Sequence, residues 1–405
     1  MRILHTADWH LGQIFFDRSR IPEQRMFLNF LLEVIEEHRV DLLVIAGDIF
    51  DTANPPSAAE ELYYDFLKRI YDFGYCKTLI IGGNHDSALR LDAPSKVLAH
   101  LKICIVGVYS SLNLEKAFFK YVKDGVELNV VAIPYLRDRD VRQAVQGESF
   151  EDMEKRTRAG IIKVYHEMAQ YYRENGNPEA TCIATGHLTA VGGQLTDSER
   201  SIHIGNLGSI NADQFPSEFS YVALGHLHHP QAVGNSERIR YSGSPIPLSF
   251  SESSEKELRL LEIQGDGHIE QKSIPIPLNR SLLRLSGSFN QTLKELDAIR
   301  VQEDELTPWV EVTLTDEIAN ASTNDQIRVY ASEIGVEVLK VTILQSAKDD
   351  VNPSLQAPER NIQEWAPLEV FEKRLESYDG DIRPKKLADC FNEVLHTTEE
   401  EGAEQ

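Results

Sequence analysis

A short apolar run opens the chain at residues 3–6, and runs of similar length recur at 42–46, 78–81, 130–133, 182–185, 221–224 and 258–263. Between the first two the period changes. Leu28, Leu31, Leu32 and Ile35 fall at i, i+3, i+4 and i+7 within 27–38, which predicts an amphipathic helix. Strands alternating with helices predict an α/β fold whose sheet is covered by helices. The later runs follow one another more closely, which points to a mixed sheet or a two-sheet sandwich.

The rhythm breaks at 265–278, where Gly265-Asp266-Gly267 precedes Ile274-Pro275-Ile276-Pro277, and this reads as an extended linker. Residues 279–346 then give strand (281–285), helix (291–299), strand (309–314), helix (325–334) and strand (337–344). That is a compact α+β module of about half the usual domain size. A polar stretch with Pro353 and Pro358 reads as a second linker. Two short helical stripes follow in 367–396: Leu368, Phe371 and Leu375, then Leu387, Phe391, Val394 and Leu395. The acidic end, 397–405, reads as disordered. The expected units are therefore 1–270, 279–346, 367–396 and a tail.

Charge changes this picture little. The net charge of −23 argues against an extended basic groove that grips nucleic acid. Residues 351–405 alone hold thirteen acidic against six basic side chains, and divalent cations would reverse the potential inside a site. Cys76, Cys104, Cys182 and Cys390 lack CxxC spacing, which fits free thiols in a reducing compartment. With no membrane-span run and no secretory apolar segment after Met1-Arg2, the expectation is a cytoplasmic protein.

The chemistry lies just after the strands. Five strand ends lead into Asp8-Trp9-His10, Gly47-Asp48 (then Asp51), Gly83-Asn84-His85-Asp86, Gly186-His187 and Gly225-His226-Leu227-His228. In open α/β sheets ligands gather beyond the carboxyl ends of strands, so five such loops can converge on one pocket. Asp8, His10, Asp48, Asn84, His187, His226 and His228 offer oxygen and imidazole donors without thiolate, a set suited to Mn²⁺, Fe²⁺ or Zn²⁺. Seven side chains are too many for one ion with open positions. They suffice for two ions sharing a carboxylate, and two ions can bind the attacking and leaving oxygens of a phosphoryl displacement. A lone histidine after a strand is ordinarily a hydrogen-bonded loop or core residue, the reading assigned to His5, His100, His203 and His229. Asp51 and Asp86 read as supporting or loop-capping groups.

Taken in order, these five blocks resemble the signature of the calcineurin-like metallophosphoesterases. Residues 3–13 (ILHTADWHLGQ), 184–189 (ATGHLT) and 241–250 (YSGSPIPLSF) are similar to the SbcD family, the nuclease subunits of bacterial SbcCD exonucleases. The resemblance is clear over 1–260 and continues more faintly to the C-terminus. It implies a mixed β-sandwich flanked by helices, a small capping domain that guides DNA, and C-terminal helices. It further implies that Asp8, His10, Asp48 and His228 hold one Mn²⁺, with Asp48 bridging to a second held by Asn84, His187 and His226. His85 would be the catalytic histidine. The activities implied are ATP-dependent exonuclease action on double-strand ends and endonuclease action on hairpins and single strands, in DNA repair, recombination and replication. The implied partners are an SbcC-type coiled-coil ATPase, docked by 367–396, and a second copy of the chain. That homodimer would use helices at 58–71, with Leu62, Phe66 and Ile70 on one face, and at 94–101. A phosphomonoesterase or cyclic-nucleotide phosphodiesterase could use the same seven donors, but would not need the residues beyond 270. A catalytically silent scaffold would not need an intact donor set.

Overall fold

The computed structural model describes residues 1–143, 145, 147–190, 193, 209–300, 306–315 and 321–344, with Phe371, Leu387, Cys390 and Phe391 beyond them. In chain order its first strands are β1 (Arg2–Thr6), β2 (Ile14–Phe15), β3 (Arg18–Ser19), β4 (Leu42–Ala46), β5 (Lys77–Ile81), β6 (Ile103–Val106) and β7 (Phe118–Lys123). They continue with β8 (Val126–Val131), β9 (Thr181–His187), β10 (Tyr221–Gly225), β11 (Gln231–Val233), β12 (Ser236–Tyr241), β13 (Glu257–Ile263) and β14 (Ile269–Pro275). Two six-stranded sheets result, ordered β14-β13-β1-β4-β5-β6 and β11-β12-β10-β9-β8-β7. In the first, β1, β4, β5 and β6 run parallel and β13 joins antiparallel. In the second, β8, β9, β10 and β12 are parallel.

The unbroken apolar run of β4 has a packing cause. Leu42, Val44 and Ala46 meet Leu128, Val130, Ile183 and Ala223 of the other sheet. Leu43 and Ile45 lie under the helices Ile21–Glu37 and Ser57–Phe73 on the opposite face. A strand buried on both faces needs no polar alternation. The outer face of the second sheet is covered by the helix Phe150–Asn175, through Ile161, Val164, Tyr165, Met168 and Tyr172. The layers are therefore helix, sheet, sheet, helix. This last helix is missing from the expected elements because charged neighbours dilute its apolar stripe.

Three expectations change. Residues 269–275 are not a linker: β14 pairs antiparallel with β13 through seven residue pairs. Pro275 is tolerated because β14 is an edge strand, where a missing N–H breaks no ladder. The stripe Leu62, Phe66 and Ile70 of the helix Ser57–Phe73 is 4%, 1% and 1% exposed and packs within its own core, so it is not a dimer contact. The third concerns the small module, built from β15 (Leu282–Gly287), the helix Phe289–Ala298, β16 (Trp309–Leu314), the helix Ala321–Glu333 and β17 (Glu337–Ile343). The expected order of strand, helix, strand, helix, strand holds, but its strands are all parallel, so the module is of the α/β kind rather than α+β.

The small module meets the large one at Trp309, which packs with Phe15 and Phe250. The Arg280 guanidinium lies 3.9 Å from the Trp309 ring centre and bonds Glu23 at 2.7 Å. Of the expected C-terminal helices, only Phe371, Leu387, Cys390 and Phe391 are described. All four are helical, and the Phe371 and Phe391 rings stack at 4.0 Å. The rest of 367–396 and the tail 397–405 lie outside the described residues.

Candidate metal centre

Parallel strands aim their carboxyl ends the same way, and that geometry assembles the site. Asp8 and His10 follow β1, Asp48 follows β4, and Asn84 and His85 follow β5. His187 closes β9, and His226 and His228 follow β10. Backbone bonds tie the first two loops together: Asp8 N–H donates to the Gly47 carbonyl at 3.0 Å, and His10 N–H to that of Asp48 at 3.1 Å. The loops then bend sharply. Asp8, His10, Asp48 and His226 all have positive φ, which costs an ordinary side chain about 1–3 kcal/mol each and persists only where surroundings enforce it.

Seven sequence-predicted donors come together, and His85 lies beside them. Asp8, His10 and Asp48 offer ligand atoms within 4.8 Å of one another, as do Asp48, His187 and His226. Asn84 Oδ1 lies 2.9 Å from both His187 Nε2 and His226 Nδ1. The His228 ring is centred 5.1 Å from that of His10. His187 Nδ1–H donates to the Ala46 carbonyl at 2.9 Å, which turns Nε2 towards Asp48, 3.2 Å away. The His226 amide donates to Asp8 Oδ1 at 2.8 Å, while Asp8 Oδ2 and His10 Nε2 are buried without a hydrogen-bond partner among the described residues. A buried, unsatisfied carboxylate oxygen is costly; a divalent cation is a group that this donor set fits.

The charges agree. Burial raises the Asp8 carboxyl to about 7, against the pull of His187 and His228. Burial would raise Asp48 too, but His187, His85 and His10 outweigh it and hold Asp48 well below the usual carboxylate range. Burial opposes a charged His187, yet Asp48 and Asp8 keep a proton on it up to about 9. Carboxylates and imidazoles packed together out of water therefore make the cluster a place that favours positive charge.

Around this centre the supporting residues sort themselves out. Asp86 accepts from the amides of Gly83, Ile49 and Phe50 at 2.9, 3.1 and 3.0 Å, which fastens the β5 loop to the β4 loop. Asp51 lies 3.2 Å from His10 Nδ1, and its carbonyl accepts from His85 Nδ1–H at 2.7 Å. His5 is buried between the Tyr221 hydroxyl and the Leu224 carbonyl, outside the cluster. His100 is exposed and His229 half-buried, whereas His203 lies outside the described residues. One supporting residue had no signal in the sequence. Gln24, buried in the helix Ile21–Glu37, donates to the His10 carbonyl at 2.6 Å and accepts from Gly12 N–H at 3.0 Å. A glutamine in an amphipathic helix looks like any surface polar residue until the packing is known.

A model of the calcineurin-like phosphoesterases matches residues 1–230. Over 401 residues, 98% of both chains, the sequence is 33% identical to SbcD of the nuclease SbcCD from Escherichia coli K12. The chain belongs to the calcineurin-like phosphoesterases, in the branch of the SbcD nucleases. Another member of that branch, from Bacillus subtilis 168, is 37% identical over 256 residues, 62% of this chain and 63% of that one. The Rhodobacter capsulatus member is 36% identical over 312 residues, covering 73% and 74%. A model described as the type 5 capsule protein repressor C-terminal domain matches residues 279–378. Among the described residues, no helix is long and apolar enough to cross a membrane. The enzyme class of this branch is metal-dependent phosphodiester hydrolysis, and the buried Asp and His cluster has the donors for it.

Proposed function

We propose that this chain is the two-metal nuclease subunit of a DNA-end-processing complex, working with an SbcC-type ATPase. The observation that carries the reading is the convergence of seven oxygen and imidazole donors around buried Asp48, with Asp8 Oδ2 unsatisfied among the described residues. In this reading Asp8, His10, Asp48 and His228 hold one ion, and Asp48, Asn84, His187 and His226 the other. The thiolate-free set suits Mn²⁺, Fe²⁺ or Zn²⁺, and the resemblance to the SbcD nucleases selects Mn²⁺ among them. The two ions, when bound, supply Lewis-acid stabilisation of the phosphodiester and of the charge that develops on it.

The protein's own part is orientation and proton handling. Nδ1–H of His85 is committed to the Asp51 carbonyl at 2.7 Å, so Nε2, when it too carries a proton, is the nitrogen left to deliver one to a leaving 3′-oxygen. Such a general acid contributes on the order of 10²–10⁴-fold. Gln24 and His187's bond to Ala46 hold ligands in place before the ions arrive, and ordered ligands lose less entropy on binding.

Residues 1–270 would then be the nuclease domain, 279–346 the capping domain that guides DNA, and 367–396 the docking helices for the ATPase. The activities expected are double-strand exonuclease coupled to ATP turnover, and nicking of hairpins and single strands, in a cytoplasmic, nucleoid-associated repair and recombination complex. A homodimer within a heterotetramer would use the exposed Tyr64, Tyr71, Leu89 and Val97, which remain after the stripe of Ser57–Phe73 is buried. The test offers the purified chain, with Mn²⁺, a blunt duplex, a hairpin, a chromogenic phosphomonoester and a cyclic nucleotide, each with and without the ATPase. Hairpin cleavage by the chain alone and ATP-dependent duplex loss with the partner are expected. Turnover of a small phosphoester without DNA cleavage would replace this reading by a phosphatase. Truncation after Asp350 should keep nicking and lose co-elution with the ATPase; unchanged co-elution would remove the docking role of 367–396.

A further inference from the structure

Part of the sequence resemblance lies in residues 241–250, yet that segment supplies no candidate ligand. The structure places it, and the residues just after it, directly behind one. The His228 carbonyl accepts from the Ser244 amide at 3.1 Å and from the Lys256 ammonium at 3.0 Å. Lys256 Nζ also donates to Ser244 Oγ at 2.8 Å and to Glu252 Oε2 at 2.7 Å. The other Glu252 oxygen, Oε1, lies 3.4 Å from His228 Nδ1. The Glu252 and Lys256 side chains are each 1% exposed.

A buried ion pair is a weak way to stabilise a fold, because desolvation offsets the attraction and an apolar pair often serves as well. Its placement here therefore asks for another reason. A neutral imidazole carries its proton on one nitrogen, and the group facing one nitrogen decides what the other can bind. His187 and His85 have Nδ1 fixed by backbone carbonyls. At His228 a carboxylate faces Nδ1, and Lys256 both balances that carboxylate and grips the His228 backbone.

We propose that Glu252, backed by Lys256, is a positioning residue that fixes His228 as the Nδ1–H tautomer and so dedicates Nε2 to the metal ion. The inference rests on the reading of His228 as a ligand, and one set of measurements separates the two. Glu252→Leu alone would strand Lys256 as an unpaired buried charge, so the test variant is Glu252→Leu with Lys256→Met, compared with His228→Ala and the unchanged full chain. Mn²⁺ binding is followed by calorimetry with elemental counting of ions. The His228 tautomer is read by ¹⁵N histidine NMR of the metal-free protein, and a denaturant midpoint checks the fold.

The double variant should weaken one ion by about 10–100-fold, the same ion that His228→Ala weakens, and leave the other within twofold. Its His228 should show the Nε2–H tautomer, which the unchanged chain lacks. If His228→Ala binds both ions normally, the ligand reading itself fails. If His228→Ala loses one ion while the double variant keeps both with its tautomer unaltered, only the role of Glu252 falls. Equal loss of both ions, or failure of the double variant to fold, also overturns it, because the pair would then be holding the fold and not the ligand.

Discussion

Replacing Gly83 by alanine tests whether the glycines before the candidate ligands are there for close approach. A Cβ at position 83 would stand 2.1 Å from Asp48 Oδ1 and 2.3 Å from the Asp48 backbone nitrogen. Carbon needs more than about 3 Å from either atom, so the two loops must separate by roughly 1 Å. The carboxylate could rotate, but the backbone nitrogen cannot. Rotation would also break the bond that Asp48 Oδ1 accepts from His85 N–H at 2.9 Å. Overpacking of this kind costs about 1–3 kcal/mol of stability. A displacement of ~1 Å in a reactive constellation can lower activity by about 10²-fold. The assays are a denaturant midpoint, Mn²⁺ calorimetry and hairpin cleavage for Gly83→Ala, beside Gly265→Ala, whose Cβ would meet nothing within 4 Å. Weaker ion binding, a lower midpoint and slower cleavage are expected for position 83 and none of them for 265. If Gly83→Ala binds two ions with unchanged affinity and unfolds at the same midpoint, the close-approach argument is wrong.

Three further outcomes can be checked alongside. His85→Gln should nearly abolish DNA cleavage while elemental analysis still finds two ions per chain; loss of one ion would make His85 a ligand, as its closeness to His10 and Asp51 allows. Asp48→Asn should weaken both ions and His187→Ala chiefly one, so calorimetry that finds a single ion lost from Asp48→Asn removes its bridging role. Burial lowers the His5 imidazole from 6.5 to about 3, so the folded chain binds fewer protons than the unfolded one below pH 6.5. The stability this contributes is present above that pH and is lost as pH falls towards 3, by about 5 kcal/mol at most. His5→Gln should flatten the difference in denaturant midpoint across that window; curves that stay parallel to the unchanged chain would assign the acid sensitivity elsewhere.

Local signals in the sequence were enough for the strands that carry chemistry. β4 and β16 need no neighbours to be recognised, since a short β-branched and apolar run between polar segments has few other uses. The candidate donors were legible for a similar reason: Asp, Asn and His placed just after such runs, with glycine before four of the five blocks, form a pattern with little competing structural purpose. What the sequence did not carry is which of these groups share an environment. That the stripe of Leu62, Phe66 and Ile70 is core, or that residues 269–275 close a sheet edge, depends on what lies opposite, and periodicity describes only one side of a contact. The positive φ of Asp8, His10, Asp48 and His226 is likewise imposed by loops from both sheets bracing one another. Gln24, Glu252 and Lys256 are ordinary polar letters in the chain. They become meaningful only where tertiary packing buries them against the backbone or ring of a candidate ligand, because burial is what turns a hydrogen bond from an exchange with water into a constraint on geometry.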